Sequence, residues 1–412
     1  MIGYDDALFA LLQHARRLDA VSCDTADALG KVLAADVVSP MDLPSFDHSA
    51  MDGYALHAGQ ALAAGSEHDV HGSQAAGDAS RISQGMAWEI MTGARLPDGL
   101  DTVVPVERTE LLVRHDDGSP ARIRLLDALG PKANVRYAGS DVAKDAMAIK
   151  AGTRVEANHV MLLAALGVAQ VQVVRRPRVA ILCTGKELQA DLAQPLADGQ
   201  IYGSNGPYLA AAFAAMGAQV CCCETVDDTS ATFVAAVRRA REAAADLIVS
   251  TGAVSMGRYD FVPEALSELG AQVLFHKVAI RPGKPQLAAT LGDALVFALP
   301  GTPMAVAVGL RFFIAPVLRA MRGQVPERAW RAVLDTSQPL KAGLRHFLRA
   351  TTTQAEDGRL HVQLLAQQQP FRIQPFAHAA AWVVVPEDAG ELAVGAWVDV
   401  VSLHPDQPGV GP

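Results

Sequence analysis

The sequence predicts a multidomain α/β plus β protein. A central, doubly wound and mainly parallel sheet is flanked by an inserted β-rich domain and a small, β-barrel-like C-terminal domain. Three observations carry that expectation. The chain has 412 residues, more than one hydrophobic core usually supports, so roughly two to four domains of about 100–200 residues each are expected. Hydrophobic residues make up 50% but aromatics only 5%, and Ala is abundant, a composition of Ala/Val/Leu-rich helices and buried parallel strands rather than of a β-sandwich. Past residue 179, short apolar runs alternate with segments of helical period, while the stretches 46–134 and 333–403 read as short strands between turn clusters.

In chain order, MIGYDDALFALLQHARRL places Leu8, Leu11, Leu12 and Ala15 at amphipathic spacing beside acidic residues, which reads as a first helix and not as a signal peptide. A short helical piece at 24–29 precedes a strand-like run at 32–38, ended by Pro40 and Pro44. Turn clusters at 76–78, 97–99 and 116–118 punctuate the β-rich region, and helical period returns at 158–166, closed by Gly167 and followed by a strand at 169–174. The polar RRPR at 175–178 marks a domain boundary. Beyond it come strands at 179–183, 219–223, 246–250, 287–290 and 295–299, with helices at 206–216, 230–243, 260–269 and 303–321. The domains expected are 1–45 with 135–176, then 46–134, 177–323 and 324–412.

Charge and cysteines exclude several classes of partner. A formal net charge of −9 argues against nucleic acid, which calls for clustered Lys and Arg. No apolar stretch reaches the roughly 18 residues that span a bilayer, the best candidate at 306–318 being interrupted by Arg311 and Pro316. A cytoplasmic protein without a membrane partner is expected. Five cysteines, three of them consecutive at Cys221, Cys222 and Cys223, form no CxxC pair and read as free thiols, the run being small buried strand residues rather than a soft-metal site.

Ligands of an open parallel sheet bind beyond the carboxyl ends of its strands. Three such loops stand out: CTGKEL at 183–188, STGAVSMG at 250–257 and LPGTP at 299–303. Their glycines let backbone N–H groups face a phosphate, and the helices that follow present positive ends. None is a P-loop or a GxGxxG. Gly252, Ser255, Gly257, Pro300, Gly301 and Pro303 are therefore candidate substrate contacts. Lys277, Arg281 and Lys284, the last two framing RPGKP, are fixed donors suited to a tetrahedral oxyanion. Glu187, Asp228 and Asp260 are candidate ligands for Mg²⁺, which takes one or two carboxylates plus phosphate oxygens, although Asp228 and Asp260 also read as helix N-caps. Asp52 in PSFDHSAMDGYAL has no packing reason to be there, and Thr92 in MTGA either contacts a ligand or caps its turn.

FDHSAMDGYAL at 46–56, MTGA at 91–94, NVRYAG at 134–139 and RPGKP at 281–285, in that order, resemble the molybdopterin molybdenumtransferase family, which includes the matching domain of gephyrin. The resemblance runs over essentially the whole chain. It implies elongated homodimers of four-domain subunits, with 1–45 and 135–176 as the elongated dimerisation domain. It also implies a cleft between the α/β domain of one subunit and the inserted β domain of the other. Asp52 and Thr92 of one chain would then face Glu187, Asp228 and Asp260 of its partner. The implied reaction converts adenylyl-molybdopterin and molybdate into molybdenum cofactor and AMP with Mg²⁺ assisting. A molybdopterin adenylyltransferase and molybdoenzyme maturation factors are the implied partners.

Four departures stand against the family pattern. TGDEL is Thr184-Gly185-Lys186-Glu187-Leu188; SGGVSVG has Ala253 and Met256; PGNPVS reads Pro300-Gly301-Thr302-Pro303-Met304-Ala305; and QGSG reads Gln367-Gln368-Gln369-Pro370. Lys186 either weakens Mg²⁺ binding or replaces part of its charge, and Ala253 is expected to resist a positive φ. Two other readings follow: a diverged paralogue that carries molybdopterin or serves as a scaffold, and a nucleotide pyrophosphatase that needs no molybdate.

Overall fold

A computed structural model describes residues 1–254 and 261–405. The chain divides into two compact units, one comprising 1–21, 30–34 and 172–412, the other 22–29 and 35–171.

Helix α1 (Tyr4–Gln13) belongs to the first unit, where Tyr4, Ala7 and Leu11 are buried. The Tyr4 hydroxyl donates to the Phe312 carbonyl at 3.0 Å, and its ring meets Phe313 and Phe347 edge-on. Burial pushes the Tyr4 phenol up to about 12.

The second unit holds a six-stranded sheet. Its strands are β1 (Gly53–Leu56), β2 (Glu67–Gln74), β3 (Ala87–Ile90), β4 (Thr102–Pro105), β5 (Thr109–Arg114) and β6 (Pro120–Leu125), in the order β4-β1-β3-β2-β6-β5. All neighbours are antiparallel except β2 and β3. Alternation gives the sheet two apolar faces, one with Tyr54, Leu56, Val104 and Ile123, the other with Ala55, Trp88, Ile90 and Val103. Helix α2 (Ala157–Ala165) follows. The expected strand at 32–38 splits. Residues 32–34 bond backbone to backbone with 172–174, whereas Val37–Val38 pairs with Met147–Ile149.

The first unit continues as β7 (Arg178–Thr184), α3 (Asn205–Ala215), β8 (Gln219–Val226), α4 (Ser230–Glu242), β9 (Leu247–Thr251), α5 (Val262–Glu268), β10 (Gln272–His276), β11 (Leu287–Leu291) and β12 (Ala294–Leu299). The sheet order is β8-β7-β9-β12-β11-β10. Its first four strands are parallel, while β11 and β10 add antiparallel pairings. Strands β7, β9 and β12 are buried almost throughout, as strands covered on both faces must be. The polar RRPR segment anchors the start of β9. Arg175 grips Asp246 with two bonds of 2.7 and 2.8 Å, and the Arg178 N–H adds a third at 2.8 Å.

Helix α6 (Pro303–Met321) is 19 residues long and apolar enough to cross a membrane by composition, but 83% of the residues in its most apolar 18-residue window are buried inside the protein. It is a core helix. The helix expected at 303–321 is present, and within it Leu310–Ile314 winds as a π turn ahead of Pro316, which lacks an N–H. Buried Arg311 is neutralised by Glu327 at 2.8 Å and also donates to the Ser402 carbonyl.

The cysteine run departs from expectation in burial. Strand β8 lies at the sheet edge, and a bulge opposite Val179 and Ala180 takes up Cys221, so Cys221 and Cys222 are half-buried and Cys223 is exposed. Burial pushes the Cys222 thiol up to about 11, and among the described residues no three His, Cys, Asp or Glu side chains gather to hold a metal.

Strands β13 (Trp330–Leu334), β14 (Arg345–Gln354), β15 (Leu360–Leu364), β16 (Ala381–Val385) and β17 (Trp397–Ser402) close a barrel in the order β14-β15-β13-β17-β16, with β16 returning to β14. The dipeptide Ile280–Arg281 adds to β14 in parallel, placing Arg281 opposite His346.

Candidate functional site

Strands β7, β9 and β12 are adjacent and parallel, so the three glycine loops leave one edge of the sheet together. Strand β10 is antiparallel to β11, itself antiparallel to β12, so Lys277 emerges at that edge too. The loops are stitched by hydrogen bonds: the Gly252 N–H donates to the Leu299 carbonyl at 2.9 Å, and the Thr184 side-chain hydroxyl donates to the Thr251 carbonyl at 3.1 Å. Gly252 has φ +96°, and a Cβ there would lie 2.6 Å from the carbonyl and hydroxyl oxygens of Thr184. Only glycine fits.

Two cavities open at this edge. The first, about 290 Å³, is lined by Thr184, Glu187, Asn205, Thr251, Gly301 and Pro303, among others. The second, about 700 Å³, is lined by Arg281, Lys284, Pro300, Thr302 and Lys341 together with apolar and glycine residues. The LPGTP loop is therefore a wall common to both, alternate residues facing each side. Asn205, at the start of α3, donates to the Gly301 carbonyl at 2.9 Å and holds that wall.

Glu187 is exposed at the first cavity. Asp228 accepts the Lys186 backbone N–H at 3.2 Å. It does not cap α4, because Thr229 is the N-cap and accepts from the Thr232 N–H. Of the cations, Arg281 and Lys284 line the second cavity, whereas Lys277 is absent from its lining and its main chain bonds Gln286 and Ile2 instead. Ser255, Gly257 and Asp260 lie outside the described residues.

In the other unit, Asp52 and Thr92 come together. One Asp52 oxygen accepts the Thr92 backbone N–H at 2.6 Å and its hydroxyl at 2.8 Å. These two donors, the backbone one first, hold the Asp52 carboxyl below its usual range. The side chain stays fully exposed and ionised.

Comparison with known proteins decides the lineage. Residues 2–167 match the MoeA N-terminal region (domain I and II), 180–320 the family described as "Probable molybdopterin binding domain", and 331–403 the MoeA C-terminal region (domain IV). A molybdopterin molybdenumtransferase of Synechococcus elongatus is 33% identical over 98% of this chain and 100% of its own length. One from Bacillus subtilis is 31% identical over 92% of this chain and 88% of its own length. The chain belongs to the molybdopterin molybdenumtransferase family. Crystal structures of a molybdopterin biosynthesis MoeA protein from Pyrococcus horikoshii superpose with TM-scores of 0.83 and 0.81 at 26% and 24% identity. They cover 98% and 97% of this chain and 99% of each of those chains.

Against the molybdenumtransferase pattern, the departures can now be placed. Ala253 adopts the positive φ (+49°) that it was expected to resist. Lys186 keeps the loop's tether to Asp228, since that bond uses its main chain. Thr302 stands at the N-cap position of α6 without a side-chain capping bond and lines the second cavity. Gln368 is a structural clasp: its amide accepts from Arg349 and donates to the carbonyls of Arg349 and Leu365.

Sequence reasoning missed Asn205 and Lys341. Asn205 opens a helix just after a strand-poor stretch and had the signal of a helix start. Lys341 sits in an ordinary Lys-Ala-Gly turn and had none.

Proposed function

We propose that this chain inserts molybdenum into molybdopterin, taking adenylyl-molybdopterin and molybdate and releasing AMP. The carrying observation is the LPGTP loop, which has a carboxylate-bearing cavity on one side and a cation-bearing cavity on the other. A phosphoanhydride held near Glu187 and an oxyanion held by Arg281 and Lys284 would lie on either side of one rigid wall. The names of the curated relatives support the same chemistry.

Glu187 and Asp228 fit a Mg²⁺ ion: they sit at adjacent loop ends, and Asp228 retains an oxygen beyond its bond to Lys186. Mg²⁺ ordinarily takes only one or two carboxylates, filling the rest of its shell with phosphate oxygens and water. When bound, it would neutralise charge on the cleaved phosphate. The chain's own residues then position the reactants. Backbone groups of the three loops cradle phosphate, and Arg281 and Lys284 orient molybdate, with no covalent intermediate on the protein.

The reading carries a homodimer with it. Mixing Asp52→Ala with Glu187→Ala subunits should restore part of the activity that each variant lacks alone, provided the two residues act from different subunits. The test of the reaction is AMP release from adenylyl-molybdopterin with and without molybdate. Release that depends on molybdate supports the transferase. Equal release without it identifies a pyrophosphatase, and binding without release identifies a carrier.

A further inference from the structure

Beside the 700 Å³ cavity lies another of about 360 Å³, and the two share Arg281, Pro282, Lys341 and Pro370. Across both linings the Lys and Arg side chains among the described residues are Arg281, Lys284 and Lys341, and no Asp or Glu contributes. This is unusual in a chain of net charge −9. Among the described residues, none of the three makes an ion pair, whereas nearby Arg345 is held by Asp5 at 2.7 Å and Glu387 at 3.0 Å. A concave surface lined by one sign of charge concentrates the opposite ion.

Lys341 reaches this place from the C-terminal barrel, and its loop is fixed at several points. The ring Nε2 of His346, a residue only 3% exposed, lies 3.0 Å from the Lys341 carbonyl. The Leu340 N–H donates to the Gly390 carbonyl at 3.1 Å and the Gly343 N–H to the Glu387 carbonyl at 2.8 Å. Strand pairing sets Arg281 directly opposite His346. The group that orients Lys341 is thus registered against the residue that opens RPGKP.

We propose that Lys341 is a third oxyanion-binding cation of this site, supplied by the barrel and held in place by His346 as a positioning residue. The ligand class is a tetrahedral dianion, either molybdate or the phosphate of the nucleotide. The proposal rests on the function proposed above and deepens it. A Lys ammonium is a compact point charge that a flexible stem can bring to such an ion, while the Arg281 guanidinium supplies a planar fork.

The experiment is calorimetric titration of the full chain with molybdate, and separately with inorganic phosphate. The proteins compared are the wild type, Lys341→Ala, Lys341→Arg, His346→Gln and Arg281→Ala, each first shown to be folded by its circular dichroism and melting curve. Expected is a loss of molybdate affinity of about tenfold or more for Lys341→Ala, with recovery to within about threefold in Lys341→Arg. His346→Gln should fall between them, and the salt dependence of binding should be shallower in Lys341→Ala. In turnover, Lys341→Ala should raise KM for molybdate more than it lowers kcat. If phosphate rather than molybdate responds, Lys341 serves the nucleotide phosphate, and the third-cation assignment stands with that ligand. If Arg281→Ala loses binding while Lys341→Ala binds both anions as the wild type does, the Lys341 assignment is overturned and the proposed function is untouched. Wild-type protein that binds neither anion overturns both.

Discussion

Asp52 shows what one side chain can carry. Its carboxylate is fully exposed, yet two Thr92 donors hold it ionised. Thr92→Val removes the hydroxyl and keeps the shorter backbone bond. The Asp52 carboxyl, followed by carbon NMR against pH, should therefore move up and still stop below the usual aspartate range. A full return to that range would show that the hydroxyl and not the backbone donor is the larger cause, and no movement would show that the hydroxyl contributes nothing. Because the folded-state value is depressed, whatever this interaction adds to stability is complete above the unfolded pKa and disappears as pH falls through the folded one. Ala253 gives a second test. A left-handed backbone costs an L-residue about 1–2 kcal/mol, and glycine gives back about 0.5–1 kcal/mol through unfolded-state entropy. Ala253→Gly should thus raise stability in urea unfolding by up to about 1 kcal/mol, and a loss would contradict the φ of +49°. Asp52 stood out in the sequence because no packing role competed for it, whereas its pairing with Thr92 was not legible, since 40 residues separate the two. The role of Asp228 was not legible either, because a carboxylate before a helix reads equally as a cap until the structure puts Thr229 in that position.

Among the elements, the strand-to-loop transitions were the most readable. Strands β7, β9 and β12 are continuous apolar runs followed by glycine, which is how a doubly covered parallel strand must look. Strand β10 gave no such signal, because Gln272 and Val273 are exposed at the sheet edge. The cysteine run was misread in burial for a related reason: local sequence does not distinguish an edge strand from a central one. In α6, the helix read at 303–321 is present as one element, and the π turn at Leu310–Ile314 accommodates Pro316 within it. The Arg175–Asp246 clamp is a prediction at this scale. Asp246→Ala leaves Arg175 and the Arg178 N–H without their acceptor and should cost about 2–4 kcal/mol in urea unfolding. A cost within about 0.5 kcal/mol would show that the clamp is solvated and idle.

For the whole molecule, the family was legible because the motif segments fall in sequence along nearly the full length. The convergence of the barrel's Lys341 on RPGKP was invisible, because it arises from one strand pairing between distant segments, Ile280–Arg281 with β14. The account's central claim is metal transfer coupled to phosphoanhydride cleavage. Purified protein should be given adenylyl-molybdopterin, molybdate and Mg²⁺, and both AMP and molybdenum bound in the pterin product should be measured, with Asp52→Ala alongside. The account predicts the two products in equal amounts and the loss of both in the variant; AMP formed without molybdenum in the pterin would contradict it.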